Sequence, residues 1–123
     1  MPGAAVLEQR LEKLLTTSMT FAVIAGDSPL GFALVTLRTN VWFDGLVALI
    51  DELYVEPSLR SGGISTALMA LVEQECRARS VEYVEINVDE GDTDARRFYE
   101  RLGYSGVDPD SGEPAIYYSR ELR

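Results

Sequence analysis

Two spacings of hydrophobic positions alternate along the chain, and the points where one gives way to the other mark its elements. In residues 4–17 (AAVLEQRLEKLLTT), Val6, Leu7, Leu11, Leu14 and Leu15 recur at helical spacing, which predicts an amphipathic helix. Residues 19–25 (MTFAVIA) form a short apolar run closed by Gly26-Asp27-Ser28-Pro29, the signature of a buried strand followed by a turn. Residues 31–39 read as a second strand. Asp44-Gly45 is a hairpin-turn signal, so residues 46–55 (LVALIDELYV) are expected to return antiparallel to it.

The period changes after Glu56-Pro57. From 64 to 79, Ile64, Leu68, Leu71, Val72 and Cys76 fall on one helical face and Glu73, Arg77 and Arg79 on the other. Residues 82–88 alternate apolar and acidic, as a half-buried strand does. Residues 93–102 (TDARRFYERL) read as a third helix stopped by Gly103, and residues 114–120 (PAIYYSR) as a last strand. The order α-β-β-β-α-β-α-β predicts a mixed α/β domain with an antiparallel N-terminal half and one βαβ crossover. Nothing divides the chain, so residues 1–123 are expected to form one domain.

Composition narrows the chemistry. With 46% hydrophobic residues the chain can build a core, yet no apolar run approaches the ~18 residues of a membrane span. Glu8, Arg10, Glu12 and Lys13 are foreign to a signal peptide, so the expected location is the cytoplasm. The chain has no histidine and one cysteine, which excludes His-based metal sites, His-centred triads and an internal disulfide; no metal site is expected. Mid-helix on the apolar side, Cys76 reads as core. A net charge of −9 repels nucleic acid and anionic membranes and favours a cationic small molecule or a basic peptide.

The densest chemistry lies at 53–66. A strand runs into Arg60-Ser61-Gly62-Gly63, and a helix starts at once. The free N–H groups and dipole of a helix start suit a phosphate, and the glycines let it approach the backbone. Arg60 would add a charge-assisted contact. The loop has neither the Gly-Lys-Ser/Thr of a nucleotide P-loop nor a GxGxxG, and read alone it is an ordinary helix-start turn.

A second stretch changes that reading. LYVEPSLRSGGISTALM (53–69) resembles the R/Q-x-x-G-x-G/A acyl-CoA motif of the GNAT superfamily of N-acetyltransferases. DTDARRFYERLGY (92–104) resembles that family's N-x-x-A-x-x-F-Y-x-x-x-G-F motif. The resemblance covers residues 20–120. It implies a GNAT-like acyl-CoA N-acyltransferase fold, lacking the usual first strand and helix, and acetyl-CoA as the cofactor. It further implies that the backbone of Leu53, Tyr54 and Val55 pairs with the pantetheine arm. Arg60, Ser61, Gly62, Gly63, Ile64 and Ser65 would cradle the pyrophosphate, with a hydroxyl contact from Thr66. Tyr99 stands at the family's general-acid position; read alone, it is an aromatic packed beside Phe98.

Asp92 replaces the family's asparagine, which exchanges a donor and acceptor for an acceptor beside an anionic cofactor, and Ser65 replaces a glycine or alanine. Without the family's first strand, residues 19–25 are an open sheet edge, which implies a homodimer. Glu52 is the expected base and Asp51 the alternative; as neighbours on a strand they are expected to face opposite sides of the sheet. The acidic run Glu85, Asp89, Glu90, Asp92, Asp94 suits a cationic acceptor or, equally, a solvated face with a helix cap. Trp42, Phe43, Tyr117 and Tyr118 are candidate walls of an acceptor pocket. The expected function is transfer of an acetyl group from acetyl-CoA to a primary amine of a small molecule or peptide, with no nucleic-acid or membrane partner. The alternatives are a non-catalytic acyl-CoA-binding or dimeric interaction module and, from the loop alone, a nucleotide-binding domain.

Overall fold

A computed structural model describes residues 2–26 and 30–122, which fall into two compact units, Met1–Ile86 and Asn87–Arg123. Of the expected turn at 26–29, Gly26 has a left-handed φ of 82°, and Asp27, Ser28 and Pro29 lie outside the described residues.

The first unit runs α1 (Ala4–Leu15), β1 (Thr20–Ala25), β2 (Gly31–Arg38), β3 (Leu46–Val55), α2 (Ile64–Ala78) and β4 (Val81–Ile86). The sheet order is β1-β2-β3-β4. The first three strands are antiparallel, and β4 is parallel to β3 across the α2 crossover. This is the mixed α/β architecture expected from the residue pattern. The alternation of β2 sets the core: Gly31, Ala33, Val35 and Leu37 are buried, and the residues between them are half-buried. Those odd positions face Leu68, Met69, Val72 and Cys76, the buried residues of α2. Met69 takes the core place expected of Leu71, which is exposed, because the buried stripe runs through 68, 72 and 76. At the far end of α2, Arg79 lies over the Phe21 ring at 4.6 Å and donates from Nε to Glu75 at 2.8 Å.

α1 forms as expected but buries none of its residues; Val6, Leu7, Leu11, Leu14 and Leu15 all remain exposed. The β2–β3 connection is a loop over 39–45 rather than a tight hairpin, and Asn40 Oδ1 accepts from the N–H groups of Trp42 and Phe43. Gly45 is small for a different reason than a turn: a Cβ there would lie 2.2 Å from the Ser80 carbonyl, where β3 begins against β4.

The second unit holds α3 (Thr93–Arg101) and a small hairpin. Asp92 caps α3, its Oδ1 accepting from Ala95 N–H at 3.1 Å. Gly103 ends it with φ 95°. Its N–H reaches Glu100 O at 3.0 Å and that of Tyr104 reaches Tyr99 O at 3.0 Å, which satisfies two terminal carbonyls. The expected last strand at 114–120 does not form. Val107 bridges Pro114, and Ala115 N–H reaches Gly106 O at 2.8 Å. Pro114 has no N–H to donate, and Ile116, Tyr117 and Tyr118 are exposed.

Candidate active site

β3 has two halves with different neighbours. β2 pairs with it as far as Val55, opposite Gly31, whereas β4 pairs only with Leu46–Ile50. From Asp51 to Val55 the side of β3 towards β4 has no strand partner among the described residues. Those residues are Asp51, Glu52, Leu53, Tyr54 and Val55, so the open edge contains the three expected to meet an extended ligand. Gly31 keeps the paired side tight, since a Cβ there would lie 2.7 Å from the Tyr54 carbonyl.

The open half begins at a bulge. Val35 pairs with Ile50 and Leu34 with Glu52, so Asp51 is the extra residue. The Thr36 hydroxyl donates to Asp51 Oδ2. Glu52, opposite Leu34, lies on the sheet face shared by Leu34 and Thr36. Both carboxylates therefore occupy the face away from α2. This corrects the expectation that they point to opposite sides, which assumed an unbroken strand. Phe32 and Tyr54 pack on the same face, with ring centroids 5.8 Å apart. Farther along, Arg38 is joined to Glu85 by an ion pair of 2.7 Å.

Beyond Val55, a single 3-10 turn at Pro57–Leu59 leads to Arg60. Arg60 Nε donates to Val55 O at 3.1 Å, and its guanidinium lies 5.9 Å from the Tyr54 ring centroid. The expected phosphate ligand thus rests against the end of the open edge. Ser61 has φ 70°, a left-handed conformation that costs a non-glycine residue about 1 kcal/mol. Gly63 caps α2 at φ 87° with open space where a Cβ would sit. The first helical bond runs from Ala67 N–H to Gly63 O at 3.1 Å, so the N–H groups of Ile64, Ser65 and Thr66 lie outside the helix's own ladder. An open strand edge thus leads to an exposed arginine, a serine and two glycines at a helix start. The side chains and peptide groups fit an extended ligand ending in phosphate.

Tyr99 belongs to the second unit. It is 8% exposed and packs edge-on against Phe98 at 5.0 Å and Tyr104 at 5.9 Å. Burial, with the charge of Asp92 adding to it, pushes its hydroxyl up to about 12. In the first unit, burial likewise raises the Cys76 thiol, helped by Glu73 and Glu75, in keeping with its core reading.

The remaining candidates part company. Phe43 stacks on Tyr83 at 5.2 Å, while Trp42 is 86% exposed. Tyr117 and Tyr118 are exposed in the second unit. In the acidic run, Glu85 is paired with Arg38, Asp92 is a helix cap and the Glu90 carbonyl accepts from Arg96 at 3.0 Å. Sequence reasoning did not single out Thr36 or Arg38. Their partners follow from strand register and the bulge, for which the residue pattern carries no signal.

A family model described as the acetyltransferase (GNAT) family matches residues 4–104. Among solved structures, a protein of Arthrobacter sp. FB24 assigned to the acetyltransferases is 44% identical, with a TM-score of 0.91 over 99% of this chain and 78% of that one. An aminoglycoside acetyltransferase, meta-AAC0020, from an uncultured soil metagenomic sample and in complex with trehalose, is 20% identical, with a TM-score of 0.79 over 100% and 76% of the two chains. AAC(6')-Iy, in complex with the bisubstrate analog CoA-S-monomethyl-acetylneamine, is 21% identical, with a TM-score of 0.76 over 98% and 82%. No curated protein matches the chain.

Proposed function

The chain belongs to the acetyltransferase (GNAT) family, and from that premise we propose that it transfers an acetyl group from acetyl-CoA to a primary amine of a small molecule or peptide. The whole chain would serve as one domain, in the cytoplasm. The observation that carries the reading is the open edge of β3 from Asp51 to Val55, continued by Arg60 and the start of α2. The peptide groups of Leu53, Tyr54 and Val55 would take an extended arm as an added strand does. Ser61, Gly62, Gly63, Ile64, Ser65 and Thr66 would hold the pyrophosphate by backbone N–H and hydroxyl groups, with Arg60 adding its charge. Its Nε bond to Val55 leaves the terminal amino groups for that contact.

Bound acetyl-CoA supplies an acetyl thioester whose C–S bond breaks as the amine nitrogen forms the C–N bond. An alkyl ammonium has a pKa of about 10.4 and must give up a proton before its nitrogen can attack. Glu52, exposed on the open half of β3, takes that proton and passes it to water. The second proton leaves the nitrogen as the amide forms and neutralises the sulfur, so one proton is released per turnover. Tyr99 assists the sulfur as a hydrogen-bond donor. Full transfer from a hydroxyl at about 12 to a thiolate of parent pKa about 8.5 would cost about 5 kcal/mol, so Tyr99 keeps its proton.

The net charge of −9 favours a cationic acceptor. The aminoglycoside acetyltransferases among the structural neighbours place an aminoglycoside in the test panel, beside a polyamine, an amino-acid amide and a peptide with a free N-terminus. The test compares thermal unfolding with acetyl-CoA and with ATP, followed by turnover on that panel. Acetyl-CoA at about 100 times its Kd adds roughly 2.7 kcal/mol, a shift of several degrees. No shift with acetyl-CoA, or an equal one with ATP, overturns the reading.

A further inference from the structure

We propose that Thr36 is a positioning residue that fixes Asp51 as the amine-binding carboxylate of the acceptor site, leaving Glu52 beside it to take the proton. The inference rests on the N-acetyltransferase reading above. Its basis is the bulge. In an unbroken strand Asp51 and Glu52 would lie on opposite faces, and only one could meet a given substrate. Here the extra residue brings both to the face that carries Thr36.

The two carboxylates are not equivalent. Asp51 Oδ2 accepts from the Thr36 hydroxyl, and among the described residues Oδ1 has no partner. A β-branched threonine is restricted at χ1, so its hydroxyl is a stiff anchor for a carboxylate on an exposed strand. The Glu52 carboxylate has neither a hydrogen bond nor an ion pair among the described residues, and its side chain is one methylene longer. An anchored anion suits orientation of an ammonium; a free and longer one suits collecting a proton and handing it to water.

Two further observations locate the pair. Asp51 is the first residue of β3 beyond its pairing with β4, at the head of the open edge. Four residues of strand, or about 13 Å, separate it from Val55, where Arg60 rests. A ligand held by phosphate at the helix start and laid along the edge extends towards Asp51. On that face Arg38 is committed to Glu85 at 2.7 Å, and Arg60 lies over the Tyr54 ring with its Nε on Val55 O. Among the described residues neither cation pairs with Asp51, which leaves its charge for a cation from outside.

The test uses the panel amine with the highest wild-type kcat/KM and two readouts. One is KM for that amine and, separately, for acetyl-CoA; the other is the calorimetric Kd of the same amine for the protein without acetyl-CoA. Thr36→Val should raise KM and Kd for the amine about tenfold while KM for acetyl-CoA stays within about twofold, and Thr36→Ser, which keeps the hydroxyl without the β-branch, should recover most of the loss in both. Asp51→Asn, which retains a side-chain carbonyl for the Thr36 hydroxyl but loses the charge, should reproduce the loss if Thr36→Val fails to fold. Unchanged amine binding in Thr36→Val and Asp51→Asn overturns the inference, as does an equal rise in KM for acetyl-CoA. A wild type that acetylates no panel amine and shows no acetyl-CoA shift instead sinks the reading on which it rests.

Discussion

Tyr99 holds its proton beyond the range of a free phenol because its hydroxyl is buried, and this has two measurable sides. Tyr99→Phe should lower kcat about 100-fold while leaving acetyl-CoA affinity unchanged, in steady-state kinetics and calorimetry. Unchanged turnover would remove Tyr99 from the mechanism. The second side is stability. The phenol ionises near 10 in the unfolded chain and near 12 in the folded one. Its contribution is therefore whole below pH 10 and lost as pH rises through 12. Between pH 9 and pH 12 the wild type should lose about 2 kcal/mol more than Tyr99→Phe in urea unfolding. The position of Tyr99 was legible because the residues around it form a recognisable motif. The Thr36–Asp51 contact was not, since it joins residues fifteen apart through a register that one extra residue decides.

At the scale of elements, α3 owes its end to Gly103. With φ at 95° and open space at the missing Cβ, Gly103→Ala meets no neighbour and is penalised by backbone conformation alone. It should cost about 1 kcal/mol in urea unfolding, and a neutral result would show that α3 ends without the left-handed residue. The bounds of β3, Leu46–Val55, match the expected 46–55 because the apolar run starts after Asp44-Gly45, apolar residues return at 53–55, and Pro57 opens the next turn. The tight turn read at Asp44-Gly45 does not match: glycine there answers the Ser80 carbonyl rather than a turn, a contact with a residue far along the chain. The C-terminal run over 114–120 has the composition of a strand, but composition supplies no partner, and Pro114 removes a donor.

For the whole molecule, the fold class and family were readable because two motifs occur in order around one crossover. The role of α1 was not, since an amphipathic pattern does not say what covers it. Its apolar stripe stays exposed, and so does Ile24 on β1, the edge strand. We propose that a second copy covers this surface, as exposed apolar stripes and open strand edges favour. Light scattering at micromolar concentration should then give twice 13.6 kDa. With −9 on each copy, added salt should strengthen the association by screening. A monomeric mass at both low and high salt removes the proposal. The open half of β3 has a different kind of consequence. Such an edge offers peptide groups, and every residue but proline carries the same ones. Sequence change along 53–55 can therefore proceed without erasing what the edge offers, so long as the inward packing of Val55 is kept. A single proline there would delete a donor that no side chain can replace. A function carried by the main chain is sheltered from most mutations and vulnerable to that one.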